Sequence, residues 1–320
     1  MEDCLILGGS GYIGQRWAAR LAGRRAFGRI VQADVRPPSK PLAEGCEYVQ
    51  CDVRQPLRFE GLKPRWMFNF AAVHREPGHA REEYFDTNLA GAKNICAFAE
   101  QTGCENILFT SSIAVYGSLD KAVSEACLPY PNSPYGISKL CAELIHKGWQ
   151  RRGEGRRLHI CRPGVIYGPG DPGNILRMIR AVRKGYFVFP GSKDLRKSYG
   201  YIEGLLDSFE FVMARPESHL TYNYVERETE TLGTLVRIVR KQIGRRGPTF
   251  TAPLFLLQAM AGAAQLLTRG RSPLHPVRVR KTASSTHVIP KALLKMGFQF
   301  RYDFASSLED WAGKAPQDFL

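Results

Sequence analysis

Residues 7–14 read LGGSGYIG, directly after the apolar start CLI at residues 4–6. Three glycines, Gly8, Gly11 and Gly14, are costly unless something must approach the backbone, because glycine loses more conformational freedom on folding than any other residue. In a strand, turn, helix unit the first glycine makes the turn. The second lets the backbone meet a pyrophosphate, and the third lets the helix pack on the strand. Asp34 ends the next strand candidate about 20 residues further on, where a carboxylate accepts ribose hydroxyls. The stretch predicts a dinucleotide-binding unit, with Gly8, Gly11, Tyr12, Ile13 and Gly14 against the cofactor.

Outward from that turn, apolar strand candidates alternate with helical stretches. The strands are 4–8, 29–34, 47–52, 65–72, 106–112 and 158–168, and the helices between them include 12–23, 83–102 and 134–152. Such alternation implies parallel strands joined by right-handed crossovers. The fold class is α/β: a doubly wound parallel sheet of Rossmann type with a smaller C-terminal substrate-binding domain. Residues 1–166 and 198–225 are assigned to the nucleotide domain, and 167–197 and 226–320 to the substrate domain. Helical segments are expected at 174–185, 230–244 and 253–268.

The chain has 320 residues and is 44% hydrophobic, enough for a buried core. Its eight cysteines form no CxxC pair and the first residues lack the order of a signal peptide, which suits reduced thiols and a cytoplasmic location. No metal-ligating pattern stands out. The formal net charge is +15. Clusters such as 151–157 and 240–246 read as solvated helix ends, and the excess looks spread along the chain. No basic run interleaved with aromatics marks a nucleic-acid platform, so no nucleic-acid partner is expected, and the charge supports an anionic substrate.

Asp34 favours NAD, since a carboxylate repels the extra phosphate of NADP. Arg36 stands two residues on and keeps NADP open. Asp52 and Val53 close the third strand, where they face the adenine edge, an ordinary capping aspartate being the alternative.

The chemistry lies in SSIAVYG (111–117) and SPYGISK (133–139). Of thirteen tyrosines only Tyr135 has a lysine four residues later, a spacing that puts Tyr135 and Lys139 on one helix face. Ser133 reads as an N-cap and Pro134 as the first helical residue. The phenol then sits at the positive helix end, and that end together with the lysine should draw its pKa down from about 10. Such a pair exchanges a proton with a substrate alcohol or carbonyl.

These motifs resemble the extended short-chain dehydrogenase/reductases, in the nucleotide-sugar epimerase and reductase branch, over most of the chain. The resemblance matches NFAA (69–72) to the strand under the cofactor, so that Ala71 and Ala72 line it. It matches Asn88 to the family's helix asparagine, Ser112 to its catalytic serine, and Tyr135 with Lys139 to its YxxxK pair. Pro163, in RPGVIYGPG, falls in the segment beside the nicotinamide. The resemblance implies hydride transfer at a sugar carbon, with Tyr135 as acid and base, Ser112 holding the reacting oxygen and Lys139 gripping the ribose.

Departures narrow the reaction. Dehydrating members carry an Asp-Glu pair just before VYG, where this chain has Ile113 and Ala114. Lys197 stands at the family's usual arginine position and Arg278 at the late arginine that meets the diphosphate, with Arg280 a close second. His74 is placed facing the sugar, a packed histidine being the alternative. The leading expectation is an NAD-dependent nucleotide-sugar epimerase, a 4-epimerase by transient oxidation to a keto sugar, of the kind used in polysaccharide biosynthesis. The alternatives are an NAD(P)H-dependent 4-keto-sugar reductase and a non-catalytic NAD-binding module. A homodimer through helices 83–102 and 134–152 is implied, and the substrate partner is a nucleotide-diphosphate sugar. The apolar stretch 253–271 reads as a lid or substrate-domain helix, with weak peripheral membrane contact as its alternative.

Overall fold

Four of the five residues in the first strand, DCLIL, are buried. An unbroken buried run, rather than alternation, marks a parallel strand covered on both faces. The computed structural model describes residues 2–75, 78–117, 119, 121–269 and 276–320, with only the backbone of Arg278 and Lys281. The chain runs β1 (Asp3–Leu7), α1 (Tyr12–Gly23), β2 (Arg29–Asp34), β3 (Cys46–Gln50), β4 (Pro64–Asn69), α2 (Arg81–Phe85), α3 (Gly91–Thr102), β5 (Asn106–Thr110), α4 (Pro134–Arg151) and β6 (Arg157–Pro163). It continues through β7 (Val165–Tyr167), α5 (Asn174–Lys184), β8 (Val188–Pro190), β9 (Tyr199–Tyr201), α6 (Ile202–Met213) and β10 (His219–Tyr224). It closes with α7 (Leu232–Gln242), β11 (Phe250–Ala252), α8 (Leu254–Leu267), α9 (Pro276–Thr282), α10 (Lys291–Lys295) and α11 (Phe304–Lys314).

Two compact units result. The first comprises Met1–Gly117, Cys127–Pro163 and Leu206–Tyr224; the second comprises Ser118–Ala126, Gly164–Leu205 and Val225–Leu320. The first unit is built on a seven-stranded sheet in the order β3-β2-β1-β4-β5-β6-β10, and every neighbouring pair is parallel. The order reverses direction between β1 and β4, the place where open α/β sheets bind ligands beyond the strand ends. On one face Leu5, Leu7, Val31, Met67, Ile107, Phe109 and Ile160 form a core with Ile95 and Phe98 of α3 and Trp149 of α4. On the other, the buried Trp17 of α1 meets Phe68 and Phe209 edge-on, at ring distances of 5.3 and 5.4 Å. Such edge contacts suit the aromatic quadrupole.

The second unit holds two small parallel pairs, β7 with β9 and β8 with β11. Tyr167 packs against Tyr201 and Phe304, and its hydroxyl meets the Glu226 carboxylate and, at 2.6 Å, Ser307. Burial pushes Glu226 up to about 8, with the Tyr167 hydrogen bond opposing.

Two elements read from the sequence take a different form. The strand expected over 158–168 breaks at Gly164, where a Cβ would stand 2.4 Å from the Ser198 carbonyl oxygen, and its second half becomes β7 in a separate sheet. The helix expected over 83–102 is three pieces, because residues Asp86–Ala90 form a π-helical turn between α2 and α3.

Candidate active site

The glycine turn is tight for reasons its coordinates make plain. Gly8 has φ +75°, and a Cβ there would lie 2.6 Å from the backbone nitrogen of Ala71. A Cβ on Gly14 would lie 2.3 Å from the Gly8 carbonyl oxygen. So the first glycine admits the loop after β4, which carries Ala71 and Ala72, and the third seats α1 on the turn. Gly11 is the N-cap of α1 and offers no side chain to its first turn, which also lacks an acidic residue. Tyr12 and Ile13 open that turn. A helix start left uncapped attracts an anion through its oriented N–H groups and dipole.

Asp34 lies at the C-terminal tip of β2, where its carboxylate accepts from the backbone N–H of Ser10 at 3.1 Å and of Arg36 at 3.3 Å. It is thereby fixed beside the glycine turn. The hydroxyl of Ser10 is enclosed with no protein partner, as is that of Ser111 beyond β5. An uncapped helix start, a free hydroxyl beside it and a carboxylate across the turn fit a dinucleotide: phosphates against α1, ribose against Asp34. Asp52 is occupied otherwise, because Arg54 holds its carboxylate at 2.6–3.0 Å and keeps it below the ordinary carboxylate range. Val53 is buried, and its carbonyl accepts from Asn94 at 2.9 Å.

Ser112 follows β5 and caps the 3₁₀ turn Ile113–Tyr116, accepting from Ala114 N–H at 3.1 Å. Ser133 caps α4 by accepting from Gly136 N–H at 3.1 Å, with Pro134 in the first turn. Gly136 is the position that sequence reasoning passed over. A Cβ there would stand 2.4 Å from the Ala114 carbonyl oxygen, so glycine lets the Ser112 turn dock on the start of α4. Docking brings the Ser112 hydroxyl to the Tyr135 phenol. Burial raises that phenol above its ordinary pKa and the Ser112 hydrogen bond lowers it. Desolvation outweighs the helix end in this arrangement, contrary to the expected downward pull.

Lys139, one turn along α4, is 1% exposed, and its ammonium lies 4.4 Å from the centre of the Phe109 ring. Burial lowers its pKa to about 7, with the Glu143 carboxylate opposing. Asn88 sits in the π-helical turn and spends its amide inside the protein. It accepts from Val73 N–H at 3.1 Å and donates to Ser138 Oγ at 2.8 Å, joining the loop after β4 to the helix that carries Tyr135. A π-turn at such a point is common beside functional groups.

A second network, which no motif signalled, braces the same elements. Arg162 of β6 forks onto the fully buried Glu143 of α4 at 2.6 and 2.8 Å. It also donates to the Tyr116 hydroxyl at 2.9 Å, which donates to Asn223 of β10 at 2.8 Å. An arginine fork on a carboxylate gives geometric specificity as well as energy.

The glycine turn, Asp34, Ala71, Ala72, Asn88, Ser112, Tyr135 and Lys139 thus share the first unit, as does Pro163 at the end of β6. His74 is there too, exposed on the loop after β4. Lys197 belongs to the second unit, where it is buried, lowered by that burial to about 8, and donates to the Ser284 carbonyl at 2.5 Å. Its ammonium is engaged within the protein. Arg278 lies on α9, and its side chain is outside the described residues.

Residues 4–225 match the model of the NAD dependent epimerase/dehydratase family, and the chain belongs to that family. It is 28% identical over 246 residues to N-acetyl-alpha-D-glucosaminyl-diphospho-ditrans,octacis-undecaprenol 4-epimerase of Escherichia coli O157:H7, a match covering 75% of this chain and 74% of the relative. Among solved structures it resembles MoeE5 in complex with UDP-glucose and NAD, with a TM-score of 0.75 and 21% identity over 99% of this chain and 100% of the other. It also resembles UDP-glucuronic acid 4-epimerase from Bacillus cereus in complex with NAD, with a TM-score of 0.76 and 17% identity over 99% and 100% of the two chains. At these identities the solved structures establish the fold.

Proposed function

We propose that the protein is an NAD-dependent 4-epimerase acting on a sugar joined to a diphosphate, a nucleotide-diphosphate sugar in the first instance. The observation that carries this reading is the cluster of Ser112, Tyr135 and Lys139 in the unit that holds the glycine turn and Asp34. The curated relative named as a 4-epimerase of a diphosphate-linked sugar supports the same chemistry.

Ser112 holds the C4 oxygen of the sugar by hydrogen bonding. Tyr135 accepts the hydroxyl proton as the C4–H bond breaks, and later returns it to the same oxygen. NAD, held by the glycine turn and Asp34, would supply the hydride acceptor and donor for C4, so that the cycle would leave no net oxidation. Lys139 grips the ribose of the cofactor, and its positive charge favours the phenolate one helical turn away. Asp34 takes the adenosine ribose and keeps out a 2′-phosphate. Asn88 positions the machinery by tying the loop after β4 to α4.

The second unit, with the interrupted segment Gly164–Leu205, is assigned to the sugar and its diphosphate, with Arg278 as the cationic group, since Lys197 is held by the Ser284 carbonyl. We place the enzyme in the cytoplasm as a homodimer. Ile95 and Phe98 are spent on the core, which leaves the half-exposed Leu89 and Leu140 and the exposed Leu144 for the partner. The test is to purify the protein, identify any bound nicotinamide cofactor, and screen UDP-, GDP-, CDP- and dTDP-sugars by mass spectrometry. The reading expects bound NAD and interconversion of C4 epimers without added reductant. Strict dependence on stoichiometric NADPH, giving one reduced sugar, overturns it.

A further inference from the structure

Helix α8 turns its apolar side outward. Phe255, Leu256, Met260, Leu266 and Leu267 are 73%, 47%, 56%, 83% and 86% exposed. Two further exposed residues, both alanines, fall between them, and the spacing puts all seven on one helical face. The half-buried side carries the only polar residues of the helix, Gln258 and Gln265. A surface helix ordinarily does the reverse, and a contiguous exposed apolar face marks an interaction site.

The surrounding charge names the partner. Residues 231–302 contain thirteen lysines and arginines and no aspartate or glutamate, so the positive charge is concentrated around α8 rather than spread evenly. Arg269 follows the helix and is exposed, and α9 packs on α8 and presents the exposed Arg280. Fourteen residues make a helix of about 21 Å at roughly 1.5 Å per residue, short of the roughly 30 Å of a bilayer core. Among the described residues no helix is long and apolar enough to cross a membrane. An apolar face without charge, flanked by Arg269 and by Arg280 of the adjoining α9 within a sequence stretch that holds no carboxylate, is the composition of a helix lying in the headgroup boundary of an anionic membrane.

We infer that α8 is an interfacial helix that seats the second unit on the surface of an anionic phospholipid bilayer. Its apolar face enters the acyl boundary, and Arg269 and Arg280 meet the lipid phosphates. The surface stands independently of the reaction proposed above, so it is tested with no sugar present.

The full chain is sedimented with vesicles of phosphatidylcholine alone and of phosphatidylcholine mixed with phosphatidylglycerol, beside the triple variant Phe255→Ser, Leu266→Ser, Leu267→Ser. These three side chains face solvent, so the variant keeps its core, and unchanged cofactor content and circular dichroism verify that. The wild type should bind the mixed vesicles, release with added salt, and bind at least about tenfold more tightly than the variant. Equal binding by both proteins, or no binding to either vesicle, overturns the inference. So does a wild-type dimer that the triple substitution splits in sedimentation without vesicle binding, which would make a second copy of the chain the occupant.

Discussion

Replacing Lys139 with methionine keeps most of the side-chain volume and removes the ammonium. The lysine is 1% exposed, and burial lowers its pKa from 10.5 to about 7. Between those two values the unfolded chain binds the proton more tightly than the folded one, so the charge opposes folding. The penalty is fully present below pH 7 and disappears as the pH rises towards 10.5. A drop of roughly 3.5 pH units, at about 1.36 kcal/mol each, corresponds to about 5 kcal/mol at pH 6 and about 2 kcal/mol at pH 9. The methionine variant carries none of this. The wild type should therefore gain about 3 kcal/mol relative to Lys139→Met between pH 6 and pH 9. Urea unfolding of both cofactor-free proteins, followed by fluorescence of the four tryptophans, reads this directly. Parallel pH profiles would show that Lys139 is solvated or firmly paired in the native state, and the reasoning about its burial would fall. The same variant should bind NAD more weakly, since the ribose contact is gone.

Tyr135→Phe should leave cofactor binding intact and lower turnover by roughly 10²–10⁴-fold, the usual loss for a general acid or base; near-normal turnover removes Tyr135 from the mechanism. Asp34→Ala should relax the preference for NAD over NADP, measured by titration of both cofactors, because the repulsion of the 2′-phosphate disappears. Gly136→Ala places a methyl 2.4 Å from the Ala114 carbonyl oxygen, so the Ser112 turn must shift. Turnover should drop while NAD still binds, and an unchanged rate would separate Gly136 from the docking of Ser112. Arg162→Met leaves the fully buried Glu143 unpaired and should cost about 3–5 kcal/mol in chemical unfolding. Adding Glu143→Met should recover most of the loss.

The nucleotide-binding half was the most legible part. β2 and α1 fall at the bounds read from residues 29–34 and 12–23, because a short buried strand closed by Asp34 and a glycine-started amphipathic helix each write their pattern locally. The cap of α4 was legible for the same reason, in Ser133 and Pro134. What depends on contact between distant residues was not. Gly136 looks like any helical glycine until the Ala114 carbonyl is placed beside it. The π-turn at Asn88 leaves no mark in the apolar spacing of 83–102. α6 was passed over although Glu203, Asp207 and Glu210 recur on one face of it at helical spacing. The direction of the Tyr135 pKa was misread because sequence shows the charges near a phenol and not how deeply it is buried. The charge around α8 escaped notice because attention fell on clusters of cations, whereas the informative feature is seventy-two residues without a carboxylate, 231–302.

The position of β10 has a consequence for how the chain comes off the ribosome. The strand pairs with β6 over His219–Tyr224, but residues Gly164–Leu205 of the second unit are made between them. At roughly 5–20 residues per second, about 60 residues of synthesis leave β6 as an open edge for some 3–12 seconds. That edge is the buried run LHICRP, a template for pairing with another nascent chain. Asn223 arrives with β10, so Tyr116 also waits for its last partner until then. Chains stopped between residues 163 and 219 should accordingly be sticky and inactive, even though every residue assigned to acid–base chemistry has already been translated.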